Sequence, residues 1–360
     1  MNIKKVLQNI FNIDNFRGNQ RDIIERLLNS DSGHSLVLMP TGGGKSLCYQ
    51  LPGLCFQGGT LVLSPLISLM KDQVDNLKRR GVKASYINST VCAKDRAKRL
   101  DDFVNGKTKF LYVTPERFNK EEFRLNIKRA DIDLLTVDEA HCISAWGHDF
   151  RPDYSRISEF ISLLKVPRVI ALTATATKEV QSDIISTLGF TEAEMKIFHQ
   201  GINRPNLRLV ADEFFSDSEK IEEIKRVSRS IKGSGIVYFS LIKTLSQFSE
   251  KLDTIKIPHL IYHGKLYNKE RKKVQEKFMN SDKLILATNS FGMGIDKPDI
   301  RYVIHAEIPG SLESYYQEIG RAGRDGKPSL CKMLYSQDDL TIHMDFIKWS
   351  NPDPDYMQKL

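Results

Sequence analysis

The sequence predicts an α/β protein of two tandem domains, each a mostly parallel sheet flanked by helices. Short runs of β-branched and other apolar residues alternate with segments whose apolar residues recur at helical spacing, which is typical of parallel sheets. The alternation occurs twice and is interrupted over residues 196–212, where a glycine, a proline and no sustained period predict a domain junction. We expect domains over residues 1–203 and 204–340, and the start of a C-terminal extension over 341–360.

Composition indicates a globular protein with a mild preference for polyanions. The 360 residues are 41% hydrophobic, enough for two cores, and 53 Lys and Arg against 45 Asp and Glu give a net charge of +8. A solvated basic surface explains that charge equally well. The five cysteines show no metal-ligand spacing, so we expect reduced thiols in a cytoplasmic protein and no zinc site. We expect no signal peptide and no membrane association, because no apolar run is long enough.

The periodicity of apolar residues predicts the positions of the helices and strands. The amphipathic pattern predicts helices over residues 4–11, after Gln20, after residue 46, after residue 66 and from about Lys178. Apolar runs predict strands over residues 35–39, 61–63, 110–113, 133–137, 168–172, 235–239, 260–262, 284–287, 302–305 and 332–335.

A glycine-rich segment follows the first predicted strand and opens a helix. It consists of Thr41, Gly42, Gly43, Gly44, Lys45 and Ser46. Backbone N–H groups of such a segment surround phosphate oxygens, the lysine reaches the β- and γ-phosphates, and the serine hydroxyl ligates Mg²⁺. The strict pattern begins with glycine, whereas Met39 stands at that position. A plain turn before a helix is the alternative, but the strand and helix on either side favour phosphate binding.

Two carboxylates, Asp138 and Glu139, follow the predicted strand 133–137. The carboxyl end of a strand is where α/β folds bind ligands, so this pair is predicted to hold magnesium and its attacking water. Side chains that stack on bases and hold phosphates follow within a few turns: His141, Trp146, His148, Phe150 and Arg151. One loop is therefore predicted to join a metal-and-water site to a nucleic-acid site.

Hydroxyl residues mark the ends of three other predicted strands. Contacts with the phosphates of a bound strand are predicted for Ser64, Pro65, Thr114 and Pro115, although each alone is an ordinary turn. Thr173 and Thr175 belong to a run of alternating Thr and Ala after strand 168–172. This run either relays the state of the nucleotide to the carboxylates or caps the helix that begins near Lys178, and both interpretations stay open.

The remaining candidates lie near the two ends of the chain. Gln20 can both donate to and accept from an adenine edge, although a surface role is the plain alternative. Arg321 and Arg324 lie three residues apart among glycines, as expected of arginine fingers that reach a γ-phosphate. Without the first domain they would be a basic surface turn.

Asp296 follows a glycine-rich bend and either faces the ribose or caps the next turn. The second domain has no segment like residues 41–46, so we expect it to complete the site of the first.

Together these segments resemble the superfamily 2 helicases and, specifically, the RecQ family of DNA helicases. The strings FRGNQ, MPTGGGKS, LSPLISLMKDQV, YVTPER, DEAHCISAWGHDFRPDY, ALTATAT, FGMGIDKP and SYYQEIGRAGRDG occur in the family's order, from Phe16 to about Gly326. The segment CISAWGHDFRPDY directly after DEAH is the specific signal, because RNA helicases of the DEAD-box type lack it.

The resemblance implies two RecA-like domains with ATP between them, and an ATP-dependent enzyme that moves 3′ to 5′ on single-stranded DNA in recombination and repair. It implies ATP and Mg²⁺ as cofactors, single-stranded and partial-duplex DNA as partners, contacts with single-strand-binding or repair proteins, a monomer, and a place in the bacterial cytoplasm or nucleoid.

It also implies roles for individual residues. Arg17 and Gln20 would contact adenine, Glu139 would polarise the attacking water, and Arg321 and Arg324 would stabilise the transferring phosphoryl group. Ser46 and Asp138 would hold magnesium. A DNA-sensing loop would consist of Trp146, His148, Phe150 and Arg151, and coupling between the sites would run through His141, Thr173, Thr175 and Gln317.

The chain departs from the family pattern at three places. Ile13 stands where many members have an aromatic ring, Asp296 stands where many have Asn, and the four cysteines of a zinc module do not follow Cys331. The first departure predicts weaker selectivity for the base, and the second is a change toward the broader superfamily. The third predicts ATPase and translocation in preference to efficient duplex unwinding. Two alternatives remain: an RNA-directed helicase, and a non-translocating DNA-dependent ATPase switch inside a larger assembly.

Overall fold

The computed structural model describes residues 3–30, 33–144, 150–201, 203–291 and 297–350. It contains two compact units, unit 1 (Met1–Ile202) and unit 2 (Asn203–Leu360). Each unit carries its own parallel sheet, flanked by helices, which confirms the predicted fold class. The predicted junction after residue 203 lies one residue from this division, and the predicted extension from residue 341 begins inside the last described helix.

Unit 1 has a seven-stranded sheet in its described part. The strands are β1 (Ser35–Leu38), β2 (Gly59–Leu63), β3 (Ala84–Ile87), β4 (Phe110–Val113), β5 (Ile132–Val137), β6 (Val169–Thr173) and β7 (Lys196–His199). They are parallel and lie in the order β3-β4-β2-β5-β6-β1-β7. The helices are α1 (Ile3–Phe11), α2 (Gln20–Asn29), α3 (Lys45–Cys55), α4 (Ile67–Arg79), α5 (Ala93–Val104), α6 (Glu121–Ile127), α7 (Ile157–Leu164) and α8 (Lys178–Thr187). Short 3-10 helices cover Pro115–Asn119, Ala140–Ile143 and Pro152–Tyr154.

Unit 2 has a six-stranded parallel sheet in its described part. The strands are β8 (Leu207–Glu213), β9 (Ser234–Phe239), β10 (His259–Tyr262), β11 (Leu284–Thr288), β12 (Ile300–His305) and β13 (Ser329–Tyr335), in the order β10-β11-β9-β12-β13-β8. The helices are α9 (Asp217–Ser230), α10 (Ile242–Thr254), α11 (Asn268–Met279), α12 (Leu312–Ile319) and α13 (Asp338–Ser350). Nowhere in the described parts of the two units is a helix long and apolar enough to cross a membrane.

The central strands are buried on both faces, and this explains their unbroken apolar sequences. In β1, Leu36 and Leu38 pack into one core of unit 1, whereas Val37 and the following Met39 pack into another. Successive side chains of a strand point to opposite faces, so these two cores lie on the two sides of the sheet. Helices cover both faces of such a parallel sheet, and its strands therefore need no polar alternation.

Three strands were not predicted from the sequence, namely β3, β7 and β8. The last two lie in the segment 196–212, where no sustained period was found. β7 is at one edge of the sheet of unit 1 and β8 is at one edge of the sheet of unit 2. Most residues of both strands are exposed or half-buried. An edge strand tolerates charged residues on its open flank, so the apolar pattern of a buried strand is missing from both.

Candidate functional site

The strand order of unit 1 arranges the predicted residues along one edge of the sheet. The phosphate loop, residues 41–46, follows β1, Thr173 ends β6, and Asp138 follows β5, and these strands are neighbours in the order β5-β6-β1. Ser64 follows β2 and Thr114 follows β4, which lie on the other side of β5. Carboxyl ends of parallel strands meet at one edge. The predicted nucleotide residues therefore occupy one half of this edge and the predicted DNA residues the other half.

The phosphate loop has a backbone that requires glycine. Gly42 and Gly44 have φ values of 80° and 87°, in the left-handed region that side chains disfavour. A Cβ on Gly43 would lie 2.7 Å from Cγ of Met39. Met39, which replaces the first glycine of the strict pattern, is fully buried beneath the loop, and Gly43 leaves room for it. No described side chain caps α3 at Gly44, so the start of this helix suits a phosphate.

Gln20 is bound to the phosphate loop. Its side-chain Nε2 donates to the carbonyl oxygens of Gly43 (3.0 Å) and Gly44 (3.3 Å), and its Oε1 accepts from the backbone N–H of Arg17 (2.9 Å). The residue is only 2% exposed. Both ends of the amide are engaged with the backbone, so an adenine contact requires these hydrogen bonds to be exchanged. The adenine roles of Arg17 and Gln20 stay predictions, whereas the contact of Gln20 with the loop was not predicted.

Asp138 is a buried carboxylate with little compensation for its charge. Its Oδ1 accepts from the N–H of Glu139 (3.1 Å). Burial and the negative charge of Glu139 raise the pKa of Asp138 to about 7, against the opposing effect of Lys45. Tyr49 lies near Asp138 and is hydrogen-bonded to Ser46. The Ser46 hydroxyl and the Asp138 carboxylate therefore belong to one cluster. A divalent cation would relieve the charge of this pair, and Mg²⁺ takes such oxygen ligands.

The described residues contain no group of three or more His, Cys, Asp or Glu side chains arranged to hold a metal. Mg²⁺ does not need such a group, because it usually keeps several waters and binds one or two protein oxygens together with substrate phosphates. Ser46 and Asp138 are oxygen donors of this kind and fit that mode of binding.

We expect Asp138→Asn to stabilise unit 1 at alkaline pH. The pKa of Asp138 is about 7 in the folded chain, against 3.8 for an ordinary aspartate. Its contribution to the free energy of unfolding is therefore fully present below pH 3.8 and is lost as the pH rises through about 7. Asparagine removes the buried charge, so at pH 8 the melting temperature should rise by roughly 5–10 °C, and at pH 5 by much less. Thermal unfolding monitored between pH 5 and pH 8 checks this. Asp131→Asn, which removes an exposed carboxylate before β5, is the control; an equal response of both variants would contradict the account.

A chain of polar contacts links Glu139 to the end of β6. Nδ1 of His141 lies 3.0 Å from Oγ1 of Thr173 and 3.5 Å from Oε2 of Glu139. The Thr173 hydroxyl donates to the carbonyl oxygen of Thr175 (2.9 Å), so it accepts from His141, and this assigns the imidazole proton to Nδ1. The backbone N–H of Met39 donates to the carbonyl oxygen of Thr173 (3.0 Å). The end of β6 therefore contacts both the carboxylate segment and Met39, which lies two residues before the phosphate loop.

The predicted DNA contacts at the ends of β2 and β4 are buried. Ser64, Pro65, Thr114 and Pro115 are all buried in unit 1. Oγ of Ser64 has no hydrogen-bond partner in the described part of the chain, and the Thr114 hydroxyl donates to Oε1 of Glu116 (2.5 Å). Neither hydroxyl faces solvent, so their phosphate contacts stay predictions that require these turns to rearrange.

The loop after β5 is tied to the turn after β2. Trp146 and His148 lie outside the described residues, and Phe150 is 44% exposed. The guanidinium of Arg151 donates to the carbonyl oxygen of Pro65 (3.1 Å). The backbone N–H of Arg151 donates to the carbonyl oxygen of Cys142 (2.9 Å). Arg151 was predicted to contact DNA directly. In the structure its guanidinium joins this loop to a second predicted DNA segment, and its contact with DNA stays a prediction.

The two predicted arginine fingers of unit 2 have different surroundings. Arg321 is 9% exposed and hydrogen-bonded to the buried Tyr238. Arg324 and the predicted coupling residue Gln317 are half-buried, and Asp296 lies outside the described residues. Arg324 is therefore the more accessible of the two guanidiniums.

Two polar residues that contact the arginine-bearing turn were missed in the sequence. Arg204 and Asn206 donate hydrogen bonds to backbone carbonyl oxygens of residues 320–327. Both residues belong to the segment 196–212, for which the sequence predicted only a domain junction. The combination of Asn, Arg, Pro and Asn over residues 203–206 was the available signal, since these residues favour turns with polar side chains held in place.

Comparison with known proteins identifies the family. Residues 17–183 match the DEAD/DEAH box helicase family, and residues 218–326 match the helicase conserved C-terminal domain. ATP-dependent DNA helicase RecQ of Bacillus subtilis is 42% identical over 359 residues, which cover 99% of this chain and 60% of that protein. Probable ATP-dependent DNA helicase RecS of the same organism is 40% identical over 349 residues, which cover 96% of this chain and 69% of that protein.

A solved structure supports the fold alone. Saccharomyces cerevisiae Dbp5 bound to RNA and ADP BeF3 has a TM-score of 0.73 at 17% identity, over 97% of this chain and 91% of that chain. This chain spans 60% of the length of Bacillus subtilis RecQ. The identity to both bacterial relatives and the matches to both helicase domains establish that the chain belongs to the RecQ family of DNA helicases.

Proposed function

We propose that this chain is an ATP-driven DNA helicase or translocase that moves 3′ to 5′ along single-stranded DNA in recombination and repair. The observation that carries the proposal is the double attachment of the loop after β5. At its start, Glu139 lies beside His141, and His141 contacts Thr173 at the end of β6, the strand next to β1 and its phosphate loop. At its end, Arg151 is hydrogen-bonded to Pro65 in the predicted DNA half of the sheet edge. A single segment thus contacts both the proposed ATP half and the proposed DNA half of the sheet edge, as an ATPase controlled by DNA requires.

The proposed division of labour follows this geometry. The backbone of the phosphate loop and Lys45 bind the phosphates, and Ser46 and Asp138 hold Mg²⁺. When bound, the metal neutralises phosphate charge and orients the phosphates. Glu139 accepts a proton from the attacking water and is oriented by His141. Arg324, supported by Arg321, stabilises charge on the transferring phosphoryl group.

The DNA contacts and partners are proposals of the same kind. Trp146, His148, Phe150 and Arg151 are proposed to sense DNA, and Gln317 is proposed to take part in coupling. Single-stranded and partial-duplex DNA are the proposed substrates. Contacts with single-strand-binding or repair proteins, a monomeric state and a cytoplasmic location complete the proposal.

We expect Thr173→Val to lower the DNA-stimulated ATPase rate about tenfold and the basal rate less. Valine preserves the shape of the side chain but removes the hydroxyl that joins His141 to Thr175, and a lost hydrogen bond in a buried network costs roughly 1–3 kcal/mol. Steady-state ATPase with and without single-stranded DNA measures both rates.

Thr177→Ala is the matched control for this variant. The hydroxyl of Thr177 accepts from the N–H of Val180 (3.4 Å) and caps α8, so its removal should lower stability by about 1 kcal/mol without changing the ratio of stimulated to basal rate. Thr177 caps α8, and the relay role is proposed for Thr173. An equal fall in both rates in Thr173→Val would refute the coupling role.

The proposed activity is tested by strand displacement and by the choice of polynucleotide. Duplexes with a 3′ single-stranded tail should be separated in the presence of ATP, whereas those with a 5′ tail should not. ATP turnover should respond more strongly to oligodeoxythymidylate than to oligouridylate of equal length. Stimulation by RNA alone would favour an RNA-directed helicase, and stimulation by DNA without any displacement or translocation would favour a stationary ATPase switch.

A further inference from the structure

The segment at the start of unit 2 forms a turn that aims two polar side chains in one direction. The N–H of Leu207 donates to the carbonyl oxygen of Arg204 (2.9 Å), which closes a four-residue turn. Pro205 occupies the second position of this turn, where its fixed φ is favourable. β8 begins at Leu207 and pairs with β13, so the turn is anchored to the sheet on its C-terminal side.

Arg204 binds the backbone that carries the two predicted arginine fingers. Its Nη2 donates to the carbonyl oxygens of Ala322 (2.8 Å) and Gly323 (2.9 Å), and its Nη1 lies 3.5 Å from that of Gly320. These three carbonyls flank Arg321 and directly precede Arg324. A guanidinium is a planar fork of donors with a permanent charge, so it can fix several carbonyl oxygens at once.

Asn206 completes the attachment. Its Nδ2 donates to the carbonyl oxygens of Gly323 (2.9 Å) and Lys327 (3.0 Å). Gly323 has a φ of 53°, and a Cβ there would lie 2.5 Å from Nδ2 of Asn206. The close approach thus requires glycine between the two arginines. Arg204 and Asn206 together bind both ends of the turn from residue 320 to residue 327.

We infer that Arg204 and Asn206 are positioning residues for ATP hydrolysis, acting through the arginine-bearing turn and chiefly through Arg324. This inference rests on the proposed function, because it assumes that Arg324 acts on the transferring phosphoryl group. Arg204 also lies at the C-terminal end of α12, where a cation is favoured by the helix dipole. A helix-capping role alone would affect stability, whereas a positioning role affects turnover at constant substrate affinity.

The first test compares Arg204→Ala, Arg204→Lys and Asn206→Ala with wild-type protein. We expect each to lower the DNA-stimulated kcat, by roughly 10- to 100-fold in Arg204→Ala, with the KM for ATP changed less than about twofold. Lysine keeps the charge but not the fork, so it should not restore the rate. Millimolar guanidinium ion should partly restore turnover of Arg204→Ala. Arg208→Ala, which removes an exposed arginine from β8, should leave kcat unchanged.

The decisive test is a double-mutant cycle with Arg324→Ala. If Arg204 acts through Arg324, then Arg204→Ala/Arg324→Ala should hydrolyse ATP no more slowly than Arg324→Ala alone. Additive losses, or a normal kcat in both Arg204→Ala and Asn206→Ala, would overturn the inference. If Arg204→Ala does not fold, the same cycle with Asn206→Ala decides. A wild-type protein without DNA-stimulated ATPase would instead refute the proposed function, so the two failures are distinguishable.

Discussion

Glu139→Gln is expected to lower ATP turnover by about 10²- to 10⁴-fold, the usual contribution of a general base. Glutamine has nearly the same shape but cannot accept the proton of the attacking water. Glutamine makes the same demand on the left-handed backbone at this position (φ 49°) as glutamate, and its amide oxygen can still face Nδ1 of His141, which lies 3.5 Å from the carboxylate. We therefore expect the substitution to leave the backbone and the imidazole in place. Single-turnover hydrolysis and binding of a fluorescent ATP analogue separate chemistry from affinity.

Nucleotide affinity should change less than threefold in Glu139→Gln. Glu122→Gln, which neutralises an exposed carboxylate on α6, is the control and should hydrolyse ATP at the wild-type rate. Turnover of Glu139→Gln within a factor of ten of wild type would show that another group accepts the proton.

Lys45→Ala is expected to weaken ATP binding by roughly 30- to 5000-fold, because truncating one member of a hydrogen-bonded charge pair costs about 2–5 kcal/mol. The lysine also opposes the rise in the pKa of Asp138 caused by burial and Glu139. Its loss should therefore raise that pKa further and shift the remaining Mg²⁺-dependent nucleotide binding to higher pH.

Equilibrium titration of a fluorescent nucleotide at pH 6, 7 and 8 measures both effects of Lys45→Ala. Lys71→Ala, which removes an exposed lysine from α4, should match wild type at each pH. Nucleotide binding by Lys45→Ala with wild-type affinity would contradict the placement of the phosphates at this loop.

Strands inside the two sheets were predictable from the sequence, whereas three of the four edge strands, β3, β7 and β8, were not. β4 was predicted with its observed bounds, and the other central strands differ from their predictions by one to three residues at either end, because burial on both faces leaves a continuous apolar run. β7 and β8 are mostly exposed or half-buried, and their charged residues obscure the period. The segment 196–212 was predicted to be a domain junction because the residues of those same strands break the pattern.

The chemistry of single residues was predictable where the backbone dictates it. The glycines of the phosphate loop signal positive φ and close approach, and the structure shows both. The direction of a long or amide side chain is decided by tertiary contacts. The sequence therefore could not show that Gln20 binds the loop carbonyls, that Arg151 turns towards Pro65, or that Arg204 binds the turn at residues 320–327.

We propose that the segment after β5 transmits the presence of a polynucleotide to the ATP site. Steady-state ATP hydrolysis by the purified chain, measured without DNA and with saturating oligodeoxythymidylate, tests it most directly. We expect saturating DNA to raise turnover at least tenfold. We also expect Arg151→Gln, which removes the guanidinium that donates to the carbonyl oxygen of Pro65, to reduce this ratio more than it reduces the rate without DNA. Equal rates of hydrolysis with and without DNA would contradict the proposal.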